Sequence, residues 1–339
     1  MGGGSGMDWV TRRQLLVGGL AALVAGCTRT GERGRAMTPS PTASPTQEPT
    51  GTAPRPSPAA DSALRRRMRR DEASLLDRYA ATLDRHPGTA ALLTPLVAHH
   101  RAHLAALAGD PDTPPDRRIR VPGRRRAALR SLAAAEAASA ASRAAAAGKA
   151  QPELARLLAS VGACEASHSA LLRPRSMRPL LLQDAGDQPR TQPPPTSPAP
   201  AVVDALQVAL AGEHAITYAY GVLGARLAGP ARERARRAYD AHRAVRDRLD
   251  ALVREHGGQP VVAAAAYELP FAVRTEADAR RLAGRVEERT AAPYADLVAA
   301  ATGPVRRFAA TALRDAAVRA AGWRGETQPF PGLPERTRG

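Results

Sequence analysis

The chain has 339 residues, and 49 basic against 32 acidic residues give a formal net charge of +17. Lys149 is its only lysine, so we attribute the charge to an arginine-rich coding bias rather than to a nucleic-acid-binding surface. Aromatic residues are 3% of the chain, which argues against a β-sandwich or barrel and against aromatic platforms for nucleic-acid bases. Alanine, leucine and arginine favour helices. We therefore predict an all-α protein with no nucleic-acid partner.

Residues 1–27 have the organisation of an export signal. Arg12 and Arg13 resemble a twin-arginine pair and precede an apolar stretch of 11 residues, Leu15 to Ala25. This stretch is too short to span a bilayer core, which needs about 20 residues. The following small residues and Cys27 resemble a lipobox. We expect Cys27 to be acylated, to contact membrane lipid, and to hold the protein on the outer face of the cytoplasmic membrane.

Two proline-rich segments divide the remaining chain. Residues 28–60 have almost no large apolar side chains and are expected to form a disordered tether, and residues 173–200 form a second proline-rich linker. The blocks 61–172 and 201–334 are predicted to be helical. The second cysteine, Cys164, is interpreted as a small buried residue that does not pair with Cys27.

Each helical block is predicted to contain four helices. Proline, glycine and capping residues place them at about 61–85, 89–107, 123–147 and 152–173, then 201–228, 231–256, 276–301 and 305–322. The connection between the second and third helices is long, about 13 residues in the first block and about 18 in the second, which is enough to run the length of a helix. This pattern favours two ferritin-like four-helix bundles, each with a long crossover.

The first block carries side chains suited to a buried metal centre. Dinuclear iron bundles use one glutamate from each of two helices and a Glu-x-x-His pair from each of the others. The candidate ligands follow this order, one set per helix: Glu72; His100 and His103; Glu136; Glu165 and His168. His100 stands where a glutamate is expected, so a single ion, zinc or copper remains an alternative to di-iron. His99 is an alternative partner of His103.

The second block has a degenerate version of the same pattern. Glu213, His242 and Glu287 occupy corresponding places. The last Glu-x-x-His motif is absent, because the equivalent positions carry Ala316 and Arg319. Asp315 and Glu288 are the only acidic substitutes nearby. A second metal site is therefore a weaker prediction than the first.

The second block also resembles a known family. The resemblance is carried by Ala211-Gly212-Glu213-His214-Ala215, Tyr218-Ala219-Tyr220-Gly221, Ala241-His242-Arg243, Tyr267-Glu268-Leu269-Pro270-Phe271 and the ending Trp323-Arg324-Gly325 with Phe330-Pro331-Gly332-Leu333. These residues resemble a ferritin-like domain family of unknown function, found in secreted and lipoprotein-type proteins of high-GC bacteria, over residues 201–334. The resemblance implies a four-helix ferritin-like fold and brings no activity or cofactor. We expect Tyr267 to Phe271 to pack the long connection against the helices.

The sequence is compatible with three functions. The first is a lipid-anchored extracytoplasmic protein with a non-catalytic structural or binding role and an unidentified envelope protein as partner. The second is a protein that binds iron or another transition metal in residues 61–172, with ferroxidase-type activity. The third is a membrane-surface adaptor that uses the arginine runs Arg65–Arg70 and Arg124–Arg126.

Overall fold

The structure, a computed structural model, describes residues 57–108, 119–173 and 200–337. The described residues are helical, with short turns and irregular connections and no strand among them. Arg12, Arg13 and Cys27 lie outside the described residues, as do most of the tether and the linker. The order is α1 (Pro58–Arg85), a short 3₁₀ turn (Pro87–Thr89), α2 (Ala90–Leu107), α3 (Arg125–Ala147), α4 (Pro152–Leu172), α5 (Pro200–Gly224), α6 (Gly229–Glu255), α7 (Glu276–Ala300), α8 (Gly303–Arg324) and α9 (Pro334–Thr337).

The helix ends follow local capping chemistry, with one correction to the predicted starts. The first helix begins at Pro58 rather than at residue 61, because the Ser57 hydroxyl accepts a hydrogen bond from the Ala60 N–H at 3.2 Å. Asp61 therefore lies inside the helix, where its carboxylate accepts the N–H of Gln151 at 3.1 Å. A capping box starts α7, because the Thr275 hydroxyl accepts the Asp278 N–H and the Asp278 carboxylate accepts the Thr275 N–H.

The fourth helix is the central element of the fold. Nearly every residue of α4 from Leu154 to Ser169 is buried, on all sides of the helix. A helix that is largely apolar around its whole circumference needs protein on every side. The α4 helix contacts α3 on one side and α7 and α8 on another. The N-terminal helices α1–α4 and the C-terminal helices α5–α8 therefore share one hydrophobic core around α4.

The remaining contacts join neighbours within each half. In the N-terminal half α1 contacts α2 and α3, and in the C-terminal half α5 contacts α6 and α7, while α7 contacts α8. The connection at 256–275 packs as expected, because Leu269 and Phe271 lie against a buried cluster and Tyr267 lies 5.6 Å from Tyr218 between ring centroids. Within the described residues, no helix is both long enough and apolar enough to cross a bilayer.

The C-terminal segment after α8 packs onto the N-terminal half. Gly325 has a left-handed backbone (φ 83°), which ends α8 and turns the chain. The Ser160 hydroxyl of α4 then donates to the Pro331 carbonyl at 2.7 Å. Phe330 and Leu333 are buried in the shared core. This C-terminal segment, residues 325–337, covers part of the site described next.

Candidate metal centre

The six ligands predicted in the first block lie together inside the N-terminal half. They come from four different helices, and each is 0% exposed: Glu72, His100, His103, Glu136, Glu165 and His168. We call this cluster the N-terminal centre. Groups of three of its ligand atoms lie within 4.8 Å of one another, as in Glu72 with His100 and His103, and in His100 with Glu136 and His168. The convergence of the predicted residues is thus observed, whereas metal binding itself stays a prediction.

His100 bridges two carboxylates. Its Nδ1–H donates to Glu72 Oε2 at 2.8 Å, and its Nε2–H donates to Glu136 Oε1 at 2.9 Å. A histidine that donates from both nitrogens is an imidazolium. Burial alone would lower the pKa of His100, but the two carboxylates raise the pKa to about 10. The position where a glutamate was expected therefore carries a positive charge in the metal-free protein.

His103 is positioned by the C-terminal segment. Its Nε2–H donates to the Pro329 carbonyl at 2.7 Å, and its ring lies 5.4 Å from that of Phe330. Its other nitrogen, Nδ1, lies 3.2 Å from Glu72 Oε1 but makes no hydrogen bond. A carbonyl that accepts from one imidazole nitrogen fixes the tautomer and directs the other nitrogen, an arrangement typical of metal-ligating histidines.

Arg143 is a member of the centre that the sequence analysis missed. Its guanidinium is fully buried and lies 3.2 Å from Glu72 Oε1 and 3.3 Å from Glu165 Oε1. Gly162 permits this position, because a Cβ added there would lie 2.9 Å from the Arg143 Cβ. Ser139 also donates to Glu165, at 2.8 Å. A guanidinium therefore occupies the side of the centre between two of the expected carboxylate ligands.

The buried carboxylates of the metal-free centre face cationic side chains. Burial would raise the pKa of both Glu72 and Glu136, but His103 and His100 lower the pKa of Glu72, and His168 and His100 lower the pKa of Glu136 to about 2. Burial raises the pKa of Glu165 well above its usual range, although the Arg143 guanidinium opposes this shift. The His100 imidazolium and the Arg143 guanidinium thus pair with carboxylates, as burial of charge requires.

A thiol and a further histidine adjoin the centre. Cys164 Sγ lies 3.2 Å from His168 Nε2, and His99 Nδ1 lies 3.0 Å from the same nitrogen. Cys164 is fully buried, as predicted, and burial raises the pKa of its thiol. His99 is half-buried, and burial lowers its pKa to about 3, so its ring is neutral. These three residues also form a group of ligand atoms within 4.8 Å of one another.

The C-terminal half contains a cluster with the same central geometry. His242 Nδ1–H donates to Glu213 Oε2 at 2.8 Å, and His242 Nε2–H donates to Glu287 Oε1 at 3.2 Å. Burial would lower the pKa of His242, but Glu213 and Glu287 raise the pKa. We call these three residues, with Arg319, Tyr220 and Tyr294, the C-terminal centre. Its Glu–His–Glu bridge repeats that of His100.

The two centres differ at the position of the last predicted motif. Arg319 Nε donates to Glu287 Oε1 at 2.8 Å, which is the position taken by His168 beside Glu136 in the first half. Arg319 thus holds a positive charge where the N-terminal centre has an imidazole. The two acidic substitutes considered for this motif do not reach the centre, because Asp315 pairs with Arg314 and Glu288 with Arg324 on the surface.

Three tyrosines and one arginine of these centres follow a spacing that sequence inspection could have detected. Tyr79 lies seven residues after Glu72 and donates to Glu136 Oε1 at 2.5 Å. Tyr220 lies seven residues after Glu213 and donates to Glu287 Oε1 at 2.6 Å. Seven residues are about two helical turns, so both side chains lie on the face of the preceding glutamate. Arg143 and Tyr294 follow Glu136 and Glu287 at the same spacing.

The two centres differ in the buried polar atoms that lack a hydrogen-bond partner. Among the described residues, the N-terminal centre has three such atoms on its ligand-type side chains, His103 Nδ1, Glu136 Oε2 and Glu165 Oε2, besides Arg143 Nε, whereas the C-terminal centre has Glu287 Oε2. Buried polar atoms are normally hydrogen-bonded. Imidazole nitrogens and carboxylate oxygens without partners are suited to bind a transition-metal ion. The donor set of the N-terminal centre therefore fits a metal ion, and that of the C-terminal centre fits a charge-balanced hydrogen-bond network.

Comparison with known proteins relates the C-terminal half to a family. A conserved hypothetical protein, rv2844, from Mycobacterium tuberculosis has a solved structure that is 38% identical over 37% of this chain and 89% of its own, with a TM-score of 0.36. A comparison with curated proteins gives no match. Residues 205–335 match the model of a domain of unknown function, DUF4439. Through residues 205–335, the chain therefore belongs to the family of proteins with a DUF4439 domain.

Proposed function

We propose that this protein binds a transition-metal ion in the N-terminal centre, within helices arranged as a ferritin-like bundle. The observation that carries the proposal is the burial of six ligand-type side chains from four helices in one cluster whose donor atoms are incompletely paired. Burying so many polar groups costs free energy unless each is satisfied. Imidazole nitrogens and carboxylate oxygens gathered in this way are ligands that a transition-metal ion takes.

The C-terminal centre supports a structural role for the DUF4439 domain. Glu287 accepts from Tyr220, His242 and Arg319, and Glu213 accepts from His242 and Tyr294. Burial would raise the pKa of Glu287, but Arg319 and His242 lower it. Two carboxylates are thus paired with two cationic side chains without a metal. We propose that this second bundle has a non-catalytic role and that it supplies the C-terminal segment covering the N-terminal centre.

Metal content of the purified protein tests the first proposal. The full chain is expected to contain close to one equivalent of iron, zinc or copper by mass spectrometry. His168→Ala is expected to lose this metal, because His168 faces Glu136 on one side and Cys164 on the other. His256→Ala is the matched control, since His256 contacts the Leu252 carbonyl of its own helix and its loss should leave the metal in place. Equal, substoichiometric metal in all three proteins would contradict the proposal.

Oxygen uptake tests the ferroxidase alternative in the same preparations. Ferrous iron added to the metal-free protein should consume dioxygen faster than free iron does if the N-terminal centre holds iron with open coordination positions. The expected uptake would be lost in His168→Ala and retained in His256→Ala. Uptake that is identical in both variants would assign it to free iron and contradict this activity.

We further propose that acylated Cys27 anchors the protein to the outer face of the cytoplasmic membrane after twin-arginine export. Two or more acyl chains give stable attachment, whereas arginine faces alone give binding that salt weakens. Cys27→Ser is expected to release the protein from membranes at low and at high salt alike, and Arg12→Lys with Arg13→Lys is expected to prevent export. Membrane binding of Cys27→Ser that persists at low salt and disappears at high salt would favour the adaptor function instead.

A further inference from the structure

The N-terminal centre adjoins a group that contains sulfur. We call this group, His99, Cys164 and His168, the sulfur edge. His99 Nδ1 and His168 Nε2 are 3.0 Å apart, and Cys164 Sγ lies 3.2 Å from His168 Nε2 and 3.8 Å from His99 Nδ1. A tetrahedral zinc ion with ordinary bond lengths separates two nitrogens by about 3.4 Å and nitrogen from sulfur by about 3.6 Å. The three atoms are therefore spaced as ligands of one ion would be.

The His168 ring is oriented as a metal ligand would be. Its Nδ1–H donates to Glu136 Oε1 at 3.2 Å, which leaves the Nε2 lone pair directed at Cys164 and His99. A histidine that binds metal through one nitrogen almost always donates its other N–H to a carboxylate or carbonyl. Glu136 is itself held by His100 and Tyr79. The carboxylate network therefore acts as an outer shell for this edge.

The carboxylates of the centre already contact nitrogen-bearing side chains. Glu72 lies within 3.2 Å of the Arg143 guanidinium, and His100 donates to both Glu72 and Glu136. An ion between these carboxylates would have to displace the Arg143 guanidinium or break the hydrogen bonds of His100 to Glu72 and Glu136. An ion at the sulfur edge would displace only the thiol proton. The sulfur edge is therefore the less costly position for an ion.

We propose that His99, Cys164 and His168 form a thiolate site for a thiophilic metal ion of the zinc(II) or copper(I) class, with Glu136 as a positioning residue for His168. Thiolate and imidazole ligands are those that select these ions. On binding, the Cys164 S–H bond breaks, the sulfur pair forms the bond to the ion, and the proton passes to solvent. The Thr327 hydroxyl lies 3.4 Å from Nδ1 of the half-buried His99. This proposal names the metal class of the function proposed above and rests on it.

Cobalt(II), a spectroscopic probe for zinc sites, gives a direct test with the full-length protein. Cobalt bound to thiolate absorbs in the near ultraviolet by charge transfer from sulfur. The metal-free protein titrated with cobalt(II) is expected to show this band at one equivalent, to lose it on addition of zinc(II), and to release one proton more than Cys164→Ser does. Cys164→Ser should lack the band, whereas Cys27→Ser, the matched control at the only other cysteine, should retain it.

Two further variants keep the test decisive. If Cys164→Ser does not fold, His99→Gln at the half-buried position serves instead and should weaken cobalt binding and shift the band. Glu136→Gln should keep the band but weaken affinity about 10–100-fold, as for other outer-shell partners of metal-bound histidines.

The outcomes separate this proposal from the one on which it rests. Stoichiometric cobalt without a sulfur band in the wild-type protein would overturn the thiolate site and leave metal binding by the carboxylates and imidazoles intact. The same holds if Glu165→Gln abolishes binding while Cys164→Ser does not. Absence of both cobalt and zinc binding would overturn both proposals.

Discussion

The Arg143 guanidinium lies in a cluster of carboxylates and imidazoles, and it contacts residues from two other helices, α1 and α4. Its Nη1 also lies 2.7 Å from the Met68 sulfur and 3.3 Å from Asp71. Burial would lower the pKa of Arg143, but Glu165 and Glu72 raise it. The arginine is therefore permanently charged, and the N-terminal centre depends on it when no metal is bound.

Arg143→Met is expected to destabilise the metal-free protein by about 3–5 kcal/mol, because Glu72 then remains buried without its partner. The free energy of unfolding in denaturant measures this loss. Arg130→Met, on the exposed face of the same helix, is the control and should change stability by less than about 0.5 kcal/mol. A loss for Arg143→Met no larger than that of the control would show that the buried ion pair is not needed.

His242 gives the protein a predictable pH dependence. Its pKa is raised in the folded state, whereas an unfolded histidine has a pKa of about 6.5. Its stabilising contribution is thus complete below about pH 6.5 and is lost as pH rises through the folded pKa. The stability difference between wild type and His242→Gln should therefore shrink above pH 6.5.

The sequence predicts the candidate ligand residues better than it predicts the side chains that contact them. Glu72, Glu136 and His168 could be predicted because one candidate per helix, in order, limits the choices. Arg143 could not be predicted in the same way, because arginines are numerous along the chain and only packing shows which of them is buried. The His99 and Cys164 pair was considered residue by residue, and only the contact of α2 with α4 brings the two side chains together.

The contact between α3 and α4 is the element-level feature that builds the N-terminal centre. Both helices are rich in alanine, and Gly162 lets α4 approach α3 beside Arg143. The predicted helix intervals agree with the structure to within a few residues, since proline, glycine and capping residues mark the ends. The close approach at Gly162 carries no such local signal, because it depends on the residue across the interface.

Gly162→Ala is expected to destabilise the protein by about 1–3 kcal/mol, as small-to-large changes in packed cores do, and to displace Arg143 from Glu165. The control is Gly221→Ala in α5, where a Cβ would meet no atom within 4 Å. That control should stabilise the helix by roughly 0.5–1 kcal/mol, the usual gain of alanine over glycine. Thermal unfolding of both variants measures the contrast. Equal effects of the same sign would show that the α3–α4 approach is not tight at this point.

The whole molecule is held together by contacts that cross from one half to the other. Arg306, at the start of α8, is 3% exposed and donates to the carbonyls of Ala147 at 3.2 Å and Ala150 at 2.7 Å. These carbonyls lie at the turn between α3 and α4. The repeat of two helical blocks was readable from loop lengths and ligand spacing. The core that the two halves share is harder to predict from the sequence. The apolar residues around the whole circumference of α4 nevertheless indicate a helix with protein on every side.

Arg306→Met is expected to lower the free energy of unfolding by about 2–4 kcal/mol, because buried carbonyls of the N-terminal half lose charge-assisted donors. Chemical denaturation followed by circular dichroism measures the change. Arg307→Met is the neighbouring exposed control and should be nearly neutral. If the two variants were equally stable, the connection between the halves would have to rest on the apolar contacts alone.

The hydrogen bond from His103 to the Pro329 carbonyl also limits how early during synthesis of the chain the N-terminal centre can be completed. The two residues are separated by 226 positions, and the ribosome makes His103 long before Pro329. The N-terminal helices can collapse early, but His103 receives its final tautomer and orientation only when the C-terminal segment has emerged and docked. Completion of the N-terminal centre is therefore a late step, which follows translation of nearly the whole chain instead of accompanying the folding of its first half.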